Sequence, residues 1–249
     1  MMRVVLSCIM LLLPVVAGAE PVSLKAADGV PVFGEAWLAP DQPNGKKPPV
    51  IVAFHQAGSN HSEYSPIAPR LVAAGFTVLA IDQRAGGDLF GMHNRTVDTL
   101  GHSVDFDAAL PDLEAALAWG RRTAAGAPVI AIGSSYSAAL VFLLAAKHPG
   151  ELTAILSFSP GEYLDGRDTV HRAARELRIP VLVDSARSPD EIAAAKSLLD
   201  AVPAVGKIQI VPQTGGVHGA STLRTDRDPA GAEENWRGVL AFLAPFARS

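Results

Sequence analysis

Val129 to His148 read VIAIGSSYSAALVFLLAAKH. The run Val129–Ile132, three of its four residues β-branched, is short and wholly apolar, the pattern of a strand buried on both faces. It breaks at Gly133 and two serines, and Tyr136 to Lys147 then carry the residues of a buried helix. Small polar residues at such a junction have two readings. A serine there can cap the helix by accepting one of its free amide hydrogens. Alternatively, Gly133-Ser134-Ser135-Tyr136-Ser137 forms G-x-S-x-small, in which a tight strand-to-helix turn lifts Ser135 clear of the sheet as a nucleophile. The turn demands small residues two positions either side of the serine, and Gly133 and Ser137 meet that demand. The second reading is favoured, and Ser134 has no assigned catalytic role in it.

A serine hydroxyl needs a base within hydrogen-bond reach. His218 is placed for this in the glycine-rich loop GGVHGAS, which follows the final strand candidate KIQIV (207–211). A third residue must orient the imidazole and stabilise its charged form. In chain order it should follow the strand PVLVD (180–184), where SPDE (188–191) supplies Asp190 as the expected acid. Glu191, Asp184 and, after the preceding strand, Asp165 stay open, because SPDE is also a helix start with Ser188 as cap and Glu191 completing a capping box. An oxyanion hole needs two backbone N–H groups aimed at the developing charge. Tyr136, at the helix start, offers one. The second is expected in FHQAGSN (54–60), just beyond an apolar strand.

Outward from these motifs, the runs 49–54, 76–81, 128–132, 153–158, 180–184 and 207–211 predict buried parallel strands. Helices are predicted over 62–74, 105–123, 136–147, 169–177, 189–201 and 232–247. PVSLKA and VPVFGEAWLAP, joined through Asp28-Gly29, predict a leading hairpin. Eight strands with helices on both faces follow, an α/β architecture in one domain over 20–249. A long glycine-rich loop, 83–103, interrupts the alternation and is expected to form a rim of the site. Within it Asn94-Arg95-Thr96 has the form of a glycosylation sequon.

Hydrophobic residues at 49% exclude a disordered chain, and a formal net charge of −4 gives no electrostatic case for nucleic acid. The first nineteen residues combine Arg3, an apolar run from Val4 to Val16 and an Ala17-Gly18-Ala19 cleavage signal. They predict a signal peptide and an exported, periplasmic or secreted product with no membrane attachment after its removal. Cys8 is the only cysteine and lies in that segment, so the mature chain is expected to be free of thiols and disulfides. No H-E-x-x-H motif points to a metal hydrolase.

FHQAGSN, GSSYSA and GGVHGAS together resemble the oxyanion turn, elbow and histidine loop of the α/β-hydrolases, specifically the compact type similar to dienelactone hydrolase, over Val22 to Phe246. That resemblance implies the α/β-hydrolase fold with a mostly parallel eight-stranded sheet. It also implies cofactor-free hydrolysis of small carboxylic esters through an acyl-enzyme on a Ser-His-Asp triad. Ala57 becomes the second oxyanion donor, and Gln56, standing where the family usually has glycine, is expected at the oxyanion hole beside it, adding bulk or a side-chain amide there; Ser137 replaces the second glycine of the elbow. Two rival functions share the fold: a catalytically silent binding protein and a small serine exopeptidase. The oligomeric state is not readable from the sequence.

Overall fold

The computed structural model describes residues 18–42 and 45–247. Residues 1–17, and with them most of the expected leader and Cys8, lie outside the described residues. Eight strands form one sheet: β1 (Glu20–Lys25), β2 (Pro31–Trp37), β3 (Val50–Phe54), β4 (Thr77–Ile81), β5 (Val129–Ser134), β6 (Ala154–Phe158), β7 (Val181–Asp184) and β8 (Lys207–Ile210). Their spatial order is β1-β2-β4-β3-β5-β6-β7-β8. The hairpin β1–β2 is antiparallel and joins β4 antiparallel, while every pair from β4 onward is parallel. The mostly parallel α/β-hydrolase sheet is therefore present, with β5 near its centre.

The helices are α1 (Ala68–Ala73), α2 (Arg95–Leu100), α3 (Leu110–Ala124), α4 (Tyr136–Lys147), α5 (Thr169–Glu176), α6 (Pro189–Ala201) and α7 (Ala232–Leu243). Alternate residues of each strand feed separate cores. Val50, Val52 and Phe54 of β3 pack with Leu117 of α3, Leu140 of α4 and Leu198 of α6 on one face. Ile51 and Ala53 pack with Leu71 of α1 and Trp236 of α7 on the other. This two-sided burial is why the central strands read as continuous apolar runs.

Three expectations change. The stretch 62–74 folds as a short 3-10 turn, His61–Glu63, followed only later by α1. Pro66 lacks the N–H needed to join the two, and it biases Ser65 away from helical angles. Pro245 similarly stops α7 at Leu243, short of residue 247. The loop 83–103 contains α2, capped by the Asn94 side chain, which accepts from the Val97 N–H at 2.9 Å, and ended by left-handed Gly101. Asn94 is fully buried and its amide donates to the carbonyls of Gln83 and Ser59, so in the folded chain the sequon serves as a helix cap.

Candidate active site

The ends of β3, β5, β7 and β8 converge at the carboxyl edge of the sheet, where parallel α/β folds place their ligands. Ser135 stands at the turn from β5 into α4 with φ 58° and ψ −120°. A residue with a side chain holds that left-handed conformation at a cost of about 1–3 kcal/mol. Its neighbours stabilise it. The Ser135 N–H donates to the Phe158 carbonyl at 2.9 Å, and the Ser135 carbonyl accepts from Ala138 at 2.8 Å. Between Val129 and Phe142 every residue is buried except Ser135. A Cβ on Gly133 would overlap the Ser137 carbonyl, which is why that position is glycine. Ser137 is tolerated opposite because its hydroxyl donates to the His55 carbonyl at 2.6 Å and accepts from the Gln83 amide at 2.7 Å.

His218 reaches this turn from the loop after β8. Its Nε2 lies 2.8 Å from Ser135 Oγ and its Nδ1 3.1 Å from Glu191 Oε1. A carboxylate can only accept, so Nδ1 carries the hydrogen and Nε2 is left to take the serine's. The carboxylate on the imidazole thus belongs to Glu191, and the expectation of Asp190 is corrected. Neighbouring residues on a helix diverge by about 100°. With the chain entering α6 through Pro189, Glu191 faces the histidine loop while Asp190 is left exposed. The Ser188 cap is present, accepting the Glu191 N–H at 3.1 Å, but the Glu191 carboxylate reaches past the cap to the Ala186 N–H and His218. Burial raises the Glu191 carboxyl; hydrogen bonds from Ser159 and His218 outweigh it and hold it below the ordinary carboxylate range.

The other two acids lie elsewhere. Asp184, at the buried end of β7, accepts the Ser185 N–H at 2.7 Å, and burial pushes its carboxyl up to about 8. Asp165 is exposed, and its N–H donates to Asp107.

The sequence marks the stretch 159–163, SPGEY, as a wall of the site or a plain turn, but gives Ser159 no role. Ser159 follows β6 with φ 55°, accepts the Gly219 N–H at 2.9 Å and hydrogen-bonds Glu191, so it fastens the acid and the histidine loop to the neighbouring strand. The only sequence signal is a small polar residue at a strand end beside the elbow. Tyr163, in the same SPGEY stretch, is partly exposed and raised by burial and by the Glu191 charge, which sets its phenol near the acid.

In the turn after β3, the Gln56 N–H is already taken: it donates to Glu63 Oε2 at 2.8 Å, and the Gln56 side-chain amide folds back to Glu63 Oε1 at 3.3 Å. Gln56 is therefore corrected as an oxyanion donor. Among the described residues no acceptor takes the N–H of Ala57, and Tyr136, as the first residue of α4, has a free N–H by its position. Leu89, from the loop 83–103, stands over Gly58 beside this turn. The loop is clamped there by the Asn60 amide, which donates to the carbonyls of Gly87, Leu89 and Met92. Among the described residues no group of three or more His, Cys, Asp or Glu side chains is placed to hold a metal ion.

Comparison with known proteins agrees with this fold. The family model described as "Serine aminopeptidase, S33" (Hydrolase_4) matches residues 45–181, more than half of the chain. A monoacylglycerol lipase of Mycolicibacterium smegmatis is 26% identical over 138 residues, which are 55% of this chain and 45% of that protein. The chain thus spans less than half the length of that curated relative. Among solved structures, a dienelactone hydrolase from Anabaena variabilis superposes with a TM-score of 0.68 at 17% identity, covering 92% of this chain and 98% of the other. An esterase of Pyrococcus furiosus gives 0.65 at 18% identity, covering 92% of each chain.

Proposed function

The chain belongs to the serine aminopeptidase S33 family of α/β-hydrolases, and from that premise we propose that it is a serine hydrolase of small carboxylic esters. The observation that carries the reading is the 2.8 Å contact of Ser135 Oγ with His218 Nε2 at a strained turn. Ser135 attacks the ester carbonyl as His218 takes its proton, and Glu191 holds the imidazole in the productive tautomer and stabilises its charge. The N–H groups of Tyr136 and Ala57 meet the oxyanion. The alcohol leaves with the proton from His218. Water then attacks the acyl-enzyme by the same route, with His218 again as base, to release the acid and restore the serine. The names of the relatives, a lipase, a dienelactone hydrolase and an esterase, favour ester over amide substrates.

The test is a substrate panel on the purified protein: p-nitrophenyl esters of increasing acyl length against aminoacyl p-nitroanilides. Turnover of short esters well above the anilides is expected. Preference for the anilides would put an aminopeptidase in its place. Failure of both, with no labelling by a fluorophosphonate, would mark a silent binding protein. We also propose that the protein is exported. Its first strand begins at Glu20, so cleavage after Ala19 leaves β1 whole. Mass spectrometry of protein made with its leader should find Glu20 as the N-terminus; a retained Cys8 would contradict this.

A further inference from the structure

Glu63 is fully buried, and no step described above uses it. Its carboxylate accepts from the Gln56 N–H at 2.8 Å, the Gln56 side-chain amide at 3.3 Å and the Ser134 hydroxyl at 2.8 Å. The same Ser134 oxygen accepts the Ala220 N–H at 2.8 Å. One carboxylate therefore joins the turn that carries Ala57, the residue before the nucleophile and the loop that carries His218. The packing around this junction is tight: a Cβ on Gly219 would overlap the Ser134 hydroxyl. Arg224 donates to the Glu63 backbone carbonyl at 3.3 Å while its guanidinium pairs with the Asp226 carboxylate, so the Glu63 carboxylate has no ion-pair partner among the described residues.

Resting on the reading of Ser135 as nucleophile, we infer that Glu63 is a positioning residue of the hydrolysis. By consuming the Gln56 N–H it orients the turn so that Ala57 presents the next N–H to the oxyanion. Through Ser134 it fixes the elbow against the histidine loop. All three of its partners are donors, so the ionised form is the one that holds the junction. Protonation would reverse the Ser134 bond and leave that hydroxyl's own hydrogen without an acceptor. Burial pushes the Glu63 carboxyl up to about 7, against the hydrogen bonds of Gln56 and Ser134 and the attraction of Arg224. The other titratable groups felt around it are the phenols of Tyr64 and Tyr136, both raised further by burial.

The experiment measures kcat, KM and the pH profile of kcat/KM on a soluble p-nitrophenyl ester for wild type, Glu63→Gln and Ser134→Ala. A glutamine cannot accept from all three donors. Glu63→Gln should lower kcat by roughly tenfold to a hundredfold with KM within about twofold, as misplacement of catalytic groups does. The acid limb of kcat/KM should carry an ionisation near 7 in wild type that is lost in Glu63→Gln. Ser134→Ala should lose less rate and keep that ionisation. Wild-type kcat and an unchanged acid limb in Glu63→Gln overturn the inference. If that variant does not fold, wild-type kcat in Ser134→Ala overturns it instead. Fluorophosphonate labelling separates the two readings: an unlabelled Ser135 in wild type removes the hydrolase reading and this one with it, whereas a labelled Ser135 beside an indifferent Glu63→Gln removes this one alone.

Discussion

Asp190 and Glu191 share one helical turn, carry the same charge and differ by a methylene, yet only Glu191 touches His218. A carboxylate in the first turn of a helix contributes about 0.3–1 kcal/mol through the helix dipole, whereas a triad acid can be worth on the order of 10⁴ in kcat. Glu191→Gln is therefore expected to keep most of the thermal stability and lose three to four decades of ester turnover, roughly. Asp190→Asn should keep near-normal kcat. Steady-state kinetics and melting curves on the two variants check this; the reverse ranking would return the acid to Asp190. The sequence placed both residues at the right helix start but favoured Asp190, whereas the imidazole meets Glu191. The choice depends on which way a side chain leaves the first turn of α6, and that is set by packing against a loop far along the chain.

At the scale of elements, the elbow was legible because it is a local device. The apolar run of β5, the small residues at Gly133 and Ser137 and the start of α4 at Tyr136 all lie within a few residues of one another. The positions of the parallel strands were legible for the same reason, since buried strands announce themselves by continuous apolar runs. Glu63 and Ser159 were not, because each acts by joining segments distant in sequence: Glu63 meets Ser134, and Ser159 meets Gly219. The rule that Gly133 obeys predicts its own test. In Gly133→Ala the new methyl overlaps the Ser137 carbonyl, and backbone cannot move aside as a side chain would. The cost should be about 1–3 kcal/mol or more, read as a lower urea midpoint. A variant as stable as wild type would show that the turn is looser than its geometry indicates.

For the whole molecule, buried acids set how stability varies with pH. Asp184 is raised from 3.8 to about 8 and Glu63 from 4.5 to about 7, in both cases by burial. Raised folded-state values mean that the native protein holds protons the unfolded chain has already released. That stabilisation is complete below the unfolded values and is lost as pH climbs through the folded ones. His61, where burial is outweighed by the bond to Asp82 and its charge, is raised and acts in the same direction. Buried His55, lowered from 6.5 to about 4, opposes them, but only below 6.5. Stability should therefore fall between about pH 6.5 and 8, by up to about 1.4 kcal/mol per pH unit for each proton fully retained. Asp184→Asn, the neutral mimic of the protonated acid, should flatten that decline in thermal melts; an unchanged slope would remove Asp184 as its source. The central claim, that Ser135 is the nucleophile of a Ser135–His218–Glu191 relay, has a more direct test on the same intact protein. Fluorophosphonate treatment followed by peptide mass spectrometry should place a single adduct on Ser135 in wild type. Labelling should be strongly slowed in His218→Ala and Glu191→Gln, and absent in Ser135→Ala. An adduct on Ser134 or another serine, or undiminished labelling of Ser135→Ala, would contradict the account.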